Sequence, residues 1–310
     1  MRAVEFSEYG PPSVLRVVDV PEPHAGAGQV RIAVRASAVS PGEVRVRSGS
    51  MREVLAVEFP FRTGFDAAGV VDEVGAGVRG VRVGDEVFGA TTTAERGANA
   101  DFTVLSLWAP KPGAWTWEEA AGATGAVETS FRVLDRLGVT AGQTVLVNGA
   151  AGGTGSIAVQ VAVARGARVI GTASERNHDF LRTLGAEPTT YGPGLVERVR
   201  ALAPRVDAVF DSAGGALPDL IRLTGDPARV VTIADTAAAA HGVHFSHTTP
   251  GTALGPPDEP ALHGLDAAVR LAEQGGLRIP VAGSFPLADV AAAHELIGTG
   301  HARGKVVLVH

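Results

Sequence analysis

The chain has 310 residues, 45% of them hydrophobic and 19% charged, with a formal net charge of −6 and a pI near 5.9. The length allows two domains and a sizeable core, and the acidic balance leaves no electrostatic footprint for nucleic acid. There is no cysteine, which excludes disulfides, thiolate nucleophiles and every cysteine-based zinc site. Of the 27 basic residues, all but Lys111 and Lys305 are arginine, which with the Ala and Gly bias reads as codon usage. The N-terminus MRAVEFSEYG is charged at Arg2, Glu5 and Glu8 and reads as no secretory signal. No run of ~18 uncharged apolar residues is present, so no membrane association and a cytoplasmic location are expected.

In chain order, the first hundred residues read as β. The Val-rich segments QVRIAVRASAV (29–39), AAGVVDEV (67–74) and DEVFGAT (85–91) are bounded by Gly and Pro, as in a small barrel or sandwich. From about Trp115 strands and helices alternate. They are VLVN (145–148), a helix from about Gly153 to Arg165, RVIGTA (168–173), a helix over 178–184, DAVFD (207–211), a helix near 216–223, and RVVTIA (229–234). That alternation predicts an α/β, doubly wound parallel sheet. Residues 247–260, HTTPGTALGPPDEP, read as a surface loop. Then come a helix (261–273), RIPVAGSF (278–285), a helix (287–298) and KVVLVH (305–310), whose texture returns the C-terminus to the first domain.

The strongest motif is the glycine loop Gly149–Gly155, GAAGGTG, between an apolar strand and a helix within one βαβ unit. A pyrophosphate needs backbone N–H groups at close range and gains from the positive end of a helix. Gly152 lets the backbone approach, and Gly155 lets the helix pack on the strand. The pattern departs from the usual one at its first glycine, where Ala150 stands. The end of the second strand decides between NAD and NADP. Glu175 lies about twenty residues past Gly155, the spacing of a ribose ligand. It is nevertheless assigned to the first helical turn, where an acidic residue stabilises the N-terminus. Ser174 and Arg176 then offer a hydroxyl and a guanidinium to a 2′-phosphate, which favours NADPH.

Together with EYGPPSVLRVVDVPEP (8–23), ASAVSPGEVRVRSG (36–49), GFDAAGVVDEVGAGVRGVRVGDEVFG (64–89), ETSFRVL (128–134), LGAEPTTY (184–191) and GHARGKVVLV (300–309), this loop resembles the medium-chain dehydrogenase/reductase superfamily, in its zinc-independent quinone oxidoreductase branch. The resemblance covers nearly the whole chain. It implies a GroES-like β-rich catalytic domain (1–115 and 277–310), interrupted by a Rossmann NADP(H)-binding domain (116–276), with the cofactor in the cleft between them.

Zinc members of the superfamily place a Cys at Ser40 and a His at Phe65 and carry a four-Cys lobe after Gly89. None of these ligands is present, so no zinc is expected. The resemblance puts an Asn where Ser40 stands, a nicotinamide-proximal Thr at Thr129 and an adenine-stacking Tyr at Tyr191. Arg303 and Lys305 match cofactor-proximal positions. Expected cofactor contacts are Ala150, Ala151, Gly152, Gly153, Thr154, Gly155, Ser174, Arg176, Tyr191, Ser212, Ala213, Ile233, Ala234, Phe245, Ser246 and Lys305. Ser40, Thr129 and Tyr9 are the candidate catalytic donors. Glu43 is expected in a salt bridge with Arg45 or Arg47, and Asp66 in a buried hydrogen bond. His241, His244 and His247 read as loop residues, and His294 and His301 as surface residues.

The implied chemistry is metal-free hydride transfer from NADPH to a small electron-poor acceptor, a quinone or an α,β-unsaturated carbonyl. A short-chain dehydrogenase is excluded, because Tyr9 and Tyr191 are followed four residues on by Ser13 and Leu195 rather than Lys. The alternative is a non-catalytic NADPH-binding redox sensor or structural protein. Pairing through an edge strand near Gly242–Ser246 implies a homodimer.

Overall fold

The computed structural model describes residues 1–92 and 96–310. The strands are β1 (Arg2–Phe6), β2 (Arg16–Asp19), β3 (Val30–Val39), β4 (Phe61–Arg62), β5 (Asp66–Val74), β6 (Glu86–Ala90), β7 (Phe102–Leu105), β8 (Leu107–Pro110), β9 (Thr144–Asn148), β10 (Arg168–Thr172), β11 (Ala186–Thr189), β12 (Ala208–Asp211), β13 (Val230–Thr232), β14 (His244–Phe245), β15 (Val281–Pro286) and β16 (Lys305–Val309). The helices are α1 (Pro41–Ser48), α2 (Trp117–Ala121), α3 (Thr124–Arg136), α4 (Gly155–Ala164), α5 (His178–Thr183), α6 (Leu195–Leu202), α7 (Leu217–Thr224), α8 (His263–Glu273) and α9 (Val290–Gly298). The chain divides into two compact units, Met1–Gly125 with Leu265–His310, and Ala126–Gly264.

The first unit is β-rich, as its alternating Val pattern predicts. A seven-stranded sheet runs β15-β16-β3-β5-β6-β8, with β7 also paired to β3, and a three-stranded sheet runs β2-β1-β4. The C-terminal strand β16 pairs antiparallel with β3, Val307 opposite Ala38, so the last residues do close onto the first domain. The units part ten residues beyond the expected 115/116 boundary and twelve before 276/277. The reason is local. The Trp115 indole N–H donates to the Leu277 carbonyl (3.2 Å) and its ring meets Phe88 edge-on, while Arg278 bonds Glu119 at 2.9 Å. The Glu119 contact holds the segment after Trp115 to the β-rich unit.

The second unit has the parallel order β11-β10-β9-β12-β13-β14, with all pairings parallel. Strand β9 is central and buried, and α4 buries all of Gly155–Ala162. The core joins Leu146, Ile170 and Val209 of the sheet to Leu195, Val199, Leu217 and Leu220 of α6 and α7. Each such side chain removed from water stabilises the fold by about 1.5–3 kcal/mol.

One expectation fails. His294 is not a surface residue: it is 0% exposed on α9, beside Ala293 on the helix face that packs into the core with Val290, Val306 and Leu308. Neither ring nitrogen has a protein hydrogen-bond partner. His301 is exposed, as expected. No helix among the described residues is long and apolar enough to cross a membrane.

Candidate functional site

Strand register builds the carboxyl edge of the parallel sheet. Asp211 stands level with Asn148 on one side and with Thr232 on the other. Its carboxylate accepts from Asn148 Nδ2 (2.8 Å), Thr232 Oγ1 (2.8 Å) and the amides of Ala213 (3.1 Å) and Gly214 (2.9 Å). Thr172 Oγ1 donates to Asn148 Oδ1 (2.6 Å) and accepts from the Gly149 amide (3.0 Å). Thr232 Oγ1 accepts from the amides of Ala234 and Asp235, both at 3.1 Å. One buried belt thus crosses β10, β9, β12 and β13 and fixes the turns that carry Gly149, Ala213 and Ala234. Asp211, Asn148, Thr172 and Thr232 were missed by sequence reading, because only the register brings them into line.

The glycine loop rises from this belt. Gly149 has φ +81°, and its carbonyl accepts from the Gly152 amide at 3.0 Å. A Cβ at Gly155 would stand 2.3 Å from the Gly149 oxygen, so helix and loop meet this closely only with glycine there. At Gly152 a Cβ would meet only that same oxygen, at 3.3 Å. Ala150 is tolerated in place of the first glycine because its buried methyl faces Gly171, where a Cβ would stand 2.8 Å away. At the start of α4 the Ser156 amide donates to the Gly152 carbonyl (3.0 Å) and the Ile157 and Ala158 amides to the Thr154 carbonyl (3.1 and 2.9 Å), so the amides open to a ligand at the helix's positive end are those of Gly153, Thr154 and Gly155. These features fit a dinucleotide pyrophosphate.

At the β10 side, Ser174 is extended and precedes a single 3-10 turn, Glu175–Asn177. Glu175 therefore stands in that turn and not at the strand tip. Glu175 and Arg176 are exposed, and Asn177 Nδ2 bonds the Ser174 hydroxyl at 3.3 Å. Tyr191 is 58% exposed on a loop held by Arg198, whose guanidinium donates to the carbonyls of Thr190, Tyr191, Gly192 and Pro193.

At the β14 side lies a charged cluster. The Arg132 guanidinium, buried on α3, bonds Glu128 Oε1 (2.8 Å) and Oε2 (3.2 Å), Thr129 Oγ1 (3.2 Å) and the Ser246 hydroxyl. Thr129 donates to Glu128 Oε2 at 3.3 Å, and Ser246 to Asp258 Oδ2 at 2.6 Å. His244 Nε2 meets Asp258 at 2.9 Å, and Arg136 meets it at 3.2 Å. Burial pushes the Asp258 carboxyl up, but the Ser246 and His244 hydrogen bonds and the Arg136 charge bring it below its ordinary value. His244 is thus a strand residue paired with Asp258, whereas His247 bonds the Thr249 carbonyl. Among the described residues, no three His, Cys, Asp or Glu side chains cluster to hold a metal ion.

In the β-rich unit, Ser40 caps α1. Its Oγ accepts from the Glu43 amide (3.2 Å), and its own amide donates to Glu43 Oε2 (2.7 Å), a capping box. Glu43 Oε1 also accepts from the Gly64 amide at 2.6 Å. The carboxylate thus ties α1 to the segment before β5. The salt bridge expected with Arg47 does not form: Arg47 Nη1 donates to the Gly10 carbonyl at 2.6 Å. Burial pushes the Glu43 carboxyl up to about 7, the backbone N–H bonds opposing it and Asp66 adding to it. Asp66 accepts from the Gly125 amide (3.1 Å), the buried hydrogen bond expected, and stands 4.0 Å from Lys305 Nζ. Tyr9 packs edge-on against Phe59. Ser40 and Phe65, where a zinc ion would need a Cys and a His, supply no such donors, and the chain does not fit zinc.

Burial lowers His294 to about 3, the Arg47 charge adding to the effect. Below its unfolded value near 6.5, the unfolded chain takes up a proton that the folded chain refuses. Stability is therefore lost as pH falls, by up to ~1.4 kcal/mol per pH unit, or ~2.3 kcal/mol from pH 6.5 to 4.5. His310, lowered by burial to about 4, acts in the same direction. Glu43 is raised and acts oppositely between about 4.5 and 7. The stability difference between wild type and His294→Leu should isolate the first effect. Urea midpoints across this range should show the wild type losing ground on the variant as pH falls, and a constant difference would disprove the assignment.

Residues 26–157 match the family described as alcohol dehydrogenase GroES-like domain, and 184–308 match zinc-binding dehydrogenase. The NADPH-dependent alkenal/one oxidoreductase of Arabidopsis thaliana chloroplasts is 31% identical over 324 residues, covering 99% of this chain and 79% of that protein. The quinone oxidoreductase of Lama guanicoe is 30% identical over 331 residues, covering 100% of this chain and 97% of that one. The solved quinone oxidoreductase from Coxiella burnetii superposes with a TM-score of 0.84 at 30% identity, over 100% of this chain and 99% of that one.

Proposed function

The chain belongs to the medium-chain dehydrogenase/reductase superfamily, in its quinone oxidoreductase-like branch, and we propose that it uses NADPH to reduce a small electron-poor acceptor, a quinone or an α,β-unsaturated carbonyl. The observation that carries this reading is the amide-lined glycine loop, fixed from below by the Asp211 belt and closed by Gly155. When bound, NADPH supplies the hydride. The amides of Gly153, Thr154 and Gly155 would hold its pyrophosphate, Ser174 and Arg176 its 2′-phosphate, and Tyr191 its adenine.

Two of the candidate donors differ in what their hydroxyls can give. Ser40 Oγ uses a lone pair for the Glu43 amide, so its hydrogen is free to stabilise oxygen that becomes anionic in the acceptor. Thr129 commits its hydrogen to Glu128, which removes it as a donor. The protein works without zinc in this reading, supported by the absence of cysteine and the residues at Ser40 and Phe65. A cytoplasmic location and a homodimer through the sheet edge at β14 complete the proposal. In support, β14 pairs only β13 among the described residues.

Incubation with NADPH and a panel of quinones and enones, with and without a chelator, tests the reading through loss of cofactor absorbance. Turnover that survives the chelator is expected. Tight NADPH binding without turnover of any acceptor would favour a redox sensor. NADPH should bind more tightly than NADH, and Arg176→Ala should weaken NADPH about tenfold while sparing NADH, as removal of a charge-assisted hydrogen bond predicts. Equal loss for both cofactors in a binding titration would remove Arg176 from the phosphate site.

A further inference from the structure

Two segments of the β-rich unit, 63–65 and 96–99, are stitched together by their backbones. The Gly64 carbonyl accepts from the amides of Gly97 (3.1 Å) and Ala98 (3.2 Å), and the Thr63 carbonyl from that of Asn99 (3.2 Å). A Cβ at Gly64 would stand 2.3 Å from the Asn99 nitrogen, so the segments meet this closely only with glycine there. The Gly64 amide in turn donates to Glu43 Oε1, and Glu43 Oε2 accepts from the Ser40 amide. One frame therefore carries both Ser40, the candidate donor, and Arg96.

Among the described residues, Arg96 is the one non-glycine residue with a positive φ, +35°. Its amide donates to the Thr92 carbonyl at 3.1 Å. Such a backbone is unfavourable for an L side chain and persists only where its surroundings impose it. The guanidinium carbon lies 4.2 Å from the Phe61 ring centroid and 5.2 Å from that of Phe65. A guanidinium against aromatic rings loses hydration at its faces and keeps its N–H edge for a carboxylate or similar anion. Arg96 is half-buried; burial lowers its pKa, and the Glu43 charge opposes this.

Thr91 joins the same place through Phe65, whose carbonyl accepts from the Thr91 amide at 2.9 Å. Thr91 is 8% exposed, and its hydroxyl has no hydrogen-bond partner. A buried hydroxyl left unsatisfied is costly, and a ligand oxygen that accepts its hydrogen removes that cost.

We propose that Arg96 and Thr91 form an anion subsite beside Phe65, and that the acceptor is a planar quinone or enone bearing a carboxylate or sulfonate group. This rests on the hydride-transfer reading above and names its substrate class. The anionic group takes the Arg96 N–H edge and the Thr91 hydroxyl, and the acceptor ring lies against the half-buried Phe65. The anionic group itself does not react. Hydride passes from NADPH to the electron-poor carbon, the displaced electron pair moves onto the acceptor carbonyl oxygen, and solvent supplies the proton.

The test compares 1,4-naphthoquinone with its 2-sulfonate as acceptors of NADPH electrons, through the ratio of their kcat/KM values. Relative to wild type, Arg96→Met should lower the sulfonate-to-parent ratio about tenfold, mainly through KM, as loss of a charge-assisted hydrogen bond predicts. Thr91→Val should lower it about threefold, and Arg96→Lys should keep part of it. Arg62→Met, which removes an exposed charge on neighbouring β4, should leave the ratio within about twofold. An unchanged ratio in Arg96→Met or Thr91→Val overturns the proposal. An equal fall in Arg62→Met also overturns it, since a general field and not a built subsite would then select the anion. Should Arg96→Met fail to fold, Arg96→Gln and Thr91→Val decide instead. A second measurement needs no turnover: calorimetric titration of the full chain, in excess NADPH, with 2-naphthoate and 2-naphthamide. Wild type should bind the carboxylate about tenfold more tightly, and Arg96→Met should abolish that preference. No carboxylate preference in wild type overturns the subsite. A carboxylate preference in a wild type that reduces neither quinone supports the subsite and overturns the hydride-transfer reading.

Discussion

Asp211→Ala should destabilise the protein by about 2–4 kcal/mol, since each buried donor left without its acceptor costs about 1–3 kcal/mol before the site relaxes. Asp211 is 0% exposed and accepts from two side chains and two backbone amides. Alanine fills none of these roles, so Asn148 and Thr232 keep their polar atoms without their partner in a dry sheet. The Gly149 amide is set through Thr172 and Asn148, so NADPH affinity should fall in the fraction that still folds. Asp211→Asn keeps one carbonyl oxygen and should lose less on both counts. Urea unfolding and a cofactor titration on the same preparations check this. A loss under about 1 kcal/mol would mean that the belt is not a cooperative unit.

Gly155→Val should lower NADPH affinity by at least about a hundredfold, or ~2.7 kcal/mol, with a further 1–3 kcal/mol of fold stability lost to overpacking. The added Cβ would stand 2.3 Å from the Gly149 oxygen and 3.0 Å from Ala150 Cα, both backbone atoms that cannot turn aside. Gly152→Ala provides the contrast. Its Cβ would meet only the Gly149 oxygen at 3.3 Å, so unfolding should change little. Its methyl would nevertheless occupy the space that the pyrophosphate needs, so affinity should fall. Thermal unfolding and binding should therefore separate at Gly152 and move together at Gly155. Unchanged NADPH binding in Gly155→Val would remove the loop from the cofactor site.

What was legible in the sequence was local. The run Val145–Gly155 carries its strand, turn and helix start in adjacent residues, and β10 and the turn at Glu175 follow at short range. The capping role of Ser40 was within reach too, because Ser40 and Glu43 stand at the spacing of a capping box; the expectation of a salt bridge passed over it. The return of the C-terminal strand to the first domain showed in its Val-rich texture.

Contacts across long separations were not legible. Asp211 meets Asn148 and Thr232 only because parallel register sets three strand ends level. Arg132 reaches Ser246 across 114 residues, and Glu43 reaches Gly64 across a turn that no local pattern encodes. His294 lies in an apolar helix whose inner face is chosen by β15 and β16, so its burial depends on packing and not on its neighbours in sequence. The sequence by itself determined the glycine loop, the missing zinc donors and the family, since each needs only residue types at fixed spacing. The tertiary structure alone decided which polar groups hold that loop, and that Thr129 can accept a hydrogen bond and not donate one. A hydroxyl's role is set by its partners, and those partners are brought to it by folding.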